Sequence, residues 1–333
     1  MQDHITAPTS PLQLRASLSY LPVGMFGSAM GLSGLSTAWS LAHTQFGAWV
    51  WLSECIGTVA VIVFLLVGIG YLVKAVDSPQ AVRDEFMHPI AGNLFATFWA
   101  SLLLLPSVLA PYSLTLARSM WAVGAVGMTA LGWVMLDRWL GNRQQPEHAT
   151  PAWIVPVLGV LDVPLAMPVL GLDALHGVAV WSIAIGLFFA MPLFTMIFSR
   201  LVFQAPLPAN LQPSLLIMVA PFAVGTSAYI ATVGHVDLFA QSLFMLTLFM
   251  LPVLLWRLRY LAQCCPFRVS WWAVSFPLAG CAIAALRVAS AMPGTLVNAT
   301  AIVLLALATF IIVALFVRTV AGVVRGELRT LTT

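Results

Sequence analysis

The chain has 333 residues, of which 61% are hydrophobic and only 8% charged, with a net charge of +3; an ordinary soluble domain carries about 25% charged residues. Fourteen basic and 11 acidic side chains cannot cover the surface of a soluble protein this long, so a cytosolic enzyme, a nucleic-acid binder and a disordered chain are excluded together. The mean hydropathy of +0.99 points to a polytopic membrane protein: at roughly 20 residues per crossing, ten helices take about 200–230 residues and leave no room for a separate soluble domain.

Residues 1–18 are polar and lack the basic start and apolar core of a signal peptide; they read as a cytoplasmic N-terminal tail. Ten apolar spans follow, at 19–41, 47–73, 89–109, 113–136, 151–171, 175–200, 212–233, 237–258, 269–291 and 296–320, making one membrane domain over 19–320, with 321–333 as a cytoplasmic C-terminal tail. Runs such as 56–69 and 299–317 are continuously apolar, without the alternation of a membrane β-strand, so the spans are predicted helices, which satisfy their own backbone groups. With the N-terminus in the cytoplasm, Arg15, Lys74, Arg83, Arg138, Arg143, Arg200, Arg257, Arg259, Arg268, Arg318, Arg325 and Arg329 fall on the cytoplasmic side, and only Arg118 and Arg287 fall elsewhere. Twelve of 14 cations on one side is the positive-inside pattern. It predicts a multi-pass plasma-membrane protein, of a bacterial inner membrane given the short tails, with both termini cytoplasmic.

The odd spans begin at Pro22, Pro89, Pro151, Pro213 and Pro266, spaced by 67, 62, 62 and 53 residues. Proline suits any first helical turn, so two readings stand: ordinary helix starts, or a fivefold repeat of a helical hairpin. A repeat would build a ring of five odd helices with the even helices outside. The odd spans also hold the small polar residues and kinking prolines: Gly24, Gly27, Ser28, Gly31, Ser33 and Gly34 in the first, Thr97 and Ser101 in the third, Pro156, Pro164 and Pro168 in the fifth, Pro221, Gly225 and Thr226 in the seventh, Ser275, Pro277 and Gly280 in the ninth. Small residues alone could serve helix packing. Broken helices concentrated in alternate spans favour a water-filled path, so Gly27, Gly31, Thr97, Pro156, Pro221, Gly225, Pro277 and Gly280 are expected to line or kink it.

Four segments carry a family resemblance: LPVGMFGSAMGLSGL at 21–35, His88-Pro89, APFAVGTSAY at 220–229 and WWAVSFPLAG at 271–280. Over residues 20–325 the chain resembles the tellurite-resistance/dicarboxylate transporter family, which includes the TehA tellurite-resistance protein, fungal malate transporters and plant guard-cell slow anion channels. The resemblance implies an all-α fold of ten transmembrane helices as five hairpins around a central pore, a homotrimer with one pore per subunit, and anion transport. It also implies that Phe276, the match to the family's pore-plugging phenylalanine, is the gate.

Three ionisable residues stand out inside the spans. Asp162 lies eleven residues after Pro151, near mid-membrane, where an ionisable group is a functional candidate. It is either a proton site or a side chain bonded at a helix interface. Arg287 is eleven residues, about three turns, beyond Phe276 and so shares its helix face; it is expected to attract anions at the pore mouth, or to pair with Glu54. The histidines lie near span ends, the single lysine is Lys74, and Cys55, Cys264, Cys265 and Cys281 have no metal-site spacing, so neither a cofactor, a metal nor an enzymatic activity is expected. The expected function is a channel for small anions (chloride, nitrate, malate or tellurite) in contact with membrane lipid. The alternatives are a proton-coupled C4-dicarboxylate carrier and a tellurite-resistance exporter.

Overall fold

A computed structural model describes residues 18–332, apart from the side chains at 262 and 264. The expected tail therefore lies outside the described residues, except for Leu18. Ten long helices follow one another: α1 Phe26–Phe46, α2 Val50–Asp77, α3 Ala91–Leu109, α4 Leu114–Gly141, α5 Pro151–Leu170, α6 Asp173–Phe203, α7 Ala209–Val233, α8 Leu238–Leu258, α9 Val269–Ala291 and α10 Thr295–Val324. Short helices occupy Pro79–Met87 and Leu328–Thr332, and no strand occurs among the described residues. Nine of the ten, α2 to α10, are long and apolar enough to cross a membrane. Helix α1 has 21 residues, but its glycines and serines leave it less apolar.

Odd and even helices are built differently. Helix α1 follows a 3-10 turn at Val23–Met25, α3 opens with one at Ala91–Phe95, α7 with Ala209–Val219 and α9 with Val269–Val274. Helix α5 opens with a 3-10 turn at Pro151–Ile154 and is broken by a second at Gly159–Asp162. The prolines that mark the odd starts lie in these turns or just before them, where a missing N–H is tolerated. The even helices are continuous α-helix for at least 21 residues each.

The odd helices touch in a closed cycle: α1 packs on α3 and α9, α5 on α3 and α7, and α7 on α9. Each even helix packs on the odd helix before it. Burial separates the two sets. In their most apolar stretches α5 and α9 are 83% buried, α7 72% and α3 56%, against 17–33% for the even helices; in α1, 13 of 21 residues are buried. Large apolar side chains on the even helices, including Leu66, Trp133, Phe188, Phe249 and Phe310, are each more than 60% exposed. So continuous an apolar surface would aggregate in water and suits a bilayer.

Two polar devices tie the layers. Ser36 Oγ donates to Ser53 O and Ser53 Oγ to Ser36 O, both at 2.8 Å, joining α1 to α2 reciprocally. At the proline end of the bundle, Glu85 of the short helix accepts from Lys74 Nζ (2.6 Å), Tyr71 Oη (3.0 Å) and Val23 N (2.7 Å), while Lys74 Nζ also donates to Leu21 O at 2.7 Å. Lys74 is 3% exposed, so this cluster holds the start of α1 against α2 with its charges paired.

Candidate functional site

The first halves of the five odd helices enclose a cavity of about 200 Å³. Gly24, Gly27 and Met30 face it from α1 and the turn before it, Thr97 from α3, Gly159 and Asp162 from α5, Val224 from α7, and Trp272, Phe276 and Pro277 from α9. The 3-10 turns position these groups: six residues at ~2.0 Å and two at ~1.5 Å put Phe276 about 15 Å into α9, half of a ~30 Å hydrocarbon core.

Phe276 is 7% exposed and packs beside Gly34. A Cβ at Gly34 would stand 3.3 Å from the Phe276 ring and 2.9 Å from Ala279 Cβ, so glycine there lets α1 approach the ring. Three hydroxyls of the odd helices bond to backbone across the ring as well as to their own helix. Ser275 Oγ donates to Trp272 O (2.7 Å) and Gly27 O (3.3 Å), Thr97 Oγ1 to Leu94 O (2.7 Å) and Val23 O (3.3 Å), and Ser101 Oγ to Thr97 O (2.8 Å) and Phe26 O (3.2 Å). Small polar residues thus fasten α1, α3 and α9 to one another.

Asp162 differs from these. It sits at the end of the second 3-10 turn of α5, is 1% exposed, lines the cavity, and neither carboxylate oxygen has a hydrogen-bond partner. Among the described residues, no other that lines the cavity is ionisable. Ser270 Oγ, at the proline end of the same cavity, is also buried without a partner.

Of the residues singled out from sequence, Gly27, Thr97, Asp162, Phe276 and Pro277 meet around this one space. Gly31 and Gly280 lie on seams of the ring, against Ser275 of α9 and Val224 of α7. Gly225 faces away from the cavity, toward Leu187 of α6 and Leu243 of α8. Pro156 and Pro221 are buried in α5 and α7 and do not line the cavity. Arg287 is half-buried on α9 beyond Phe276, with Nε unpartnered. Glu54 is exposed on α2 and makes no ion pair with Arg287. Sequence reasoning passed over the Lys74–Glu85 cluster, because the spacing of 11 residues crosses a turn, and the burial of Arg200, which is 7% exposed with Nε and Nη1 unpartnered. No local pattern signalled either.

A family model described as a voltage-dependent anion channel, SLAC1, matches residues 20–320. The chain is 27% identical over 330 residues to the S-type anion channel SLAH3 of Arabidopsis thaliana, covering 96% of this chain and 51% of that protein. It is 26% identical over 309 residues to the guard cell S-type anion channel SLAC1 of the same plant, covering 90% and 55%. It is 25% identical over 273 residues to a tellurite resistance protein TehA homolog of Haemophilus influenzae, covering 79% of each. The chain spans about half the length of these plant relatives. With its all-helical membrane architecture and a match over nearly its whole length, the chain belongs to the SLAC1 voltage-dependent anion channel family.

Proposed function

We propose that the chain is a plasma-membrane anion channel in which all ten helices cross the bilayer as five hairpins, both termini are cytoplasmic, and Phe276 plugs a pore framed by the odd helices. The observation that carries this reading is the cavity: five odd helices contribute to it, and the buried ring of Phe276 lies at its wall about 15 Å into α9. Its lining is apolar apart from hydroxyls, an amide and one carboxyl. Among the described residues there is no ring of carboxylates such as cation pores use, and no lining cation to hold a dianion tightly. Arg287, farther along α9, supplies positive charge that raises the local anion concentration at the far mouth. Small anions such as chloride and nitrate fit such a path best, the plant relatives being named as anion channels without a stated ion, and each subunit of a homotrimer would carry its own pore.

Planar-bilayer recording of wild type and Phe276→Ala in chloride, nitrate and malate tests the reading. Removing the ring should raise chloride and nitrate current by roughly tenfold or more, the effect of lowering a barrier by ~1.4 kcal/mol. An unchanged current overturns it. The buried carboxyl of Asp162 favours a second reading, a proton-coupled C4-dicarboxylate carrier; saturable, proton-dependent malate uptake in vesicles would replace the channel with it.

A further inference from the structure

Beside the Ser270 hydroxyl, the carboxyl of Asp162 faces the cavity without a role that packing explains, and of the two it alone is ionisable. It caps no helix end by a side-chain hydrogen bond, it has no donor near either oxygen, and it is 1% exposed. The turn that carries it packs against α3, α4, α6 and α7. Helix α3 has no ionisable residue. On α4, Arg118 is tied to Leu170 O, Arg138 to Phe86 O, and Asp137 is exposed. On α6, Asp173 and His176 lie at the far end and Arg200 at the proline end. On α7, Tyr229 is bonded to Asp237. Across the cavity, α1 and α9 present no ionisable lining residue; His43 lies at the end of α1, and Cys281 and Arg287 lie beyond the cavity on α9. None of these bonds to Asp162.

A lone carboxylate in this position would place an uncompensated negative charge on the path of an anion. A carboxyl carrying a proton is neutral and can donate to a passing anion. We propose that Asp162 is a proton-binding site in the conduction path: a proton taken up on a carboxylate oxygen changes the local charge from minus one to zero and admits anions, and its release excludes them. This rests on the pore reading above and adds to it a charge filter distinct from the Phe276 plug.

The test compares Phe276→Ala with Phe276→Ala/Asp162→Asn in chloride across a pH series, together with infrared titration of wild type and Asp162→Asn. In Phe276→Ala, current should grow roughly tenfold or more as pH falls: at an effective dielectric of about 20, tenfold is the scale of one charge about 12 Å from the ion, and a closer approach gives more. The double variant should carry the low-pH current at every pH, and Asp162→Glu, which keeps a titrating group, should keep the pH dependence. A protonated-carboxyl stretch should titrate in wild type and be missing from Asp162→Asn. A pH-independent current in Phe276→Ala, or an equally steep dependence in the double variant, overturns the proposal. If Phe276→Ala passes no current at any pH, the plug reading falls. The proton site is then decided by the infrared titration, which supports it if the band vanishes with Asp162 and overturns it if the band persists.

Discussion

Helices α9 and α10 are neighbours in sequence and in contact, yet 83% of the apolar stretch of one is buried against 33% of the other, while mean hydropathy runs the opposite way, 1.6 against 2.9. In a soluble protein the more apolar helix would be the inner one. Here the surroundings of α10 are themselves apolar, so burial is driven by close packing and hydrogen bonding rather than by escape from water. The inner helices therefore carry glycine, serine and broken turns, and the outer helices carry Leu66, Phe249 and Phe310 into the lipid-facing surface. The pattern that makes the ring pack is also the pattern that leaves a cavity inside it.

Four substitutions probe this division, beginning where inner and outer layers are joined. Glu85→Ala strands the buried ammonium of Lys74 and frees the backbone N–H of Val23. Removing one partner of a buried pair should cost about 3–5 kcal/mol, visible as a large fall in the melting temperature in detergent, with a smaller fall for Glu85→Gln. On the inner seam, a Cβ at Gly31 would collide with the Ser275 side chain. Gly31→Ala should therefore cost ~1–3 kcal/mol by overpacking and loosen α1 from α9. On the outer face, Gly68 of α2 has nothing within 4 Å of an added Cβ, and Gly68→Ala should shift stability by no more than ~1 kcal/mol, the range of helix propensity. If Gly31→Ala and Gly68→Ala melted alike, the distinction between the rings would fail.

The smallest effect lies in the turn between α7 and α8. Asp237 accepts from Tyr229 Oη at 2.6 Å and from Ala240 N at 3.0 Å, capping α8. The tyrosine hydrogen bond, then that of the Ala240 amide, holds its carboxyl below the usual carboxylate range. A carboxyl lowered in the folded state stabilises it fully above pH ~4 and loses that contribution as pH falls through the lowered native value. Asp237→Asn should flatten the acid side of the stability profile slightly, as measured by thermal melts between neutral and acid pH.

Much of this division was legible in the sequence. Continuous apolar runs gave the helix positions, with α9 matching the expected 269–291 span at both ends. The concentration of prolines and small polar residues in the odd spans anticipated which helices are broken, although α6 and α8 stay continuous through Pro192 and Pro252. Boundaries moved at inner and outer helices alike: α1 runs Phe26–Phe46 where 19–41 was expected, because a 3-10 turn precedes it, and α4 runs to Gly141 and α10 to Val324, each several residues past its expected stop. The direction a small residue faces could not be read. Gly225 and Gly280 look alike in the chain, yet one backs onto α6 and α8 and the other onto a ring neighbour, because facing depends on how 3-10 turns rotate each helix before its α segment begins. Contacts such as Glu85 with Val23 N span 62 residues and leave no periodicity to detect. Asp162 was visible because a carboxyl is rare at that depth; that it has no partner was not.

The central claim is that anions pass inside the odd ring and that Phe276 blocks them. The most direct test is current through Phe276→Ala recorded beside Phe249→Ala, which removes the same ring from a site 71% exposed on α8. The account predicts a large gain of chloride and nitrate current in Phe276→Ala and wild-type behaviour in Phe249→Ala. Equal currents in the two variants would contradict it.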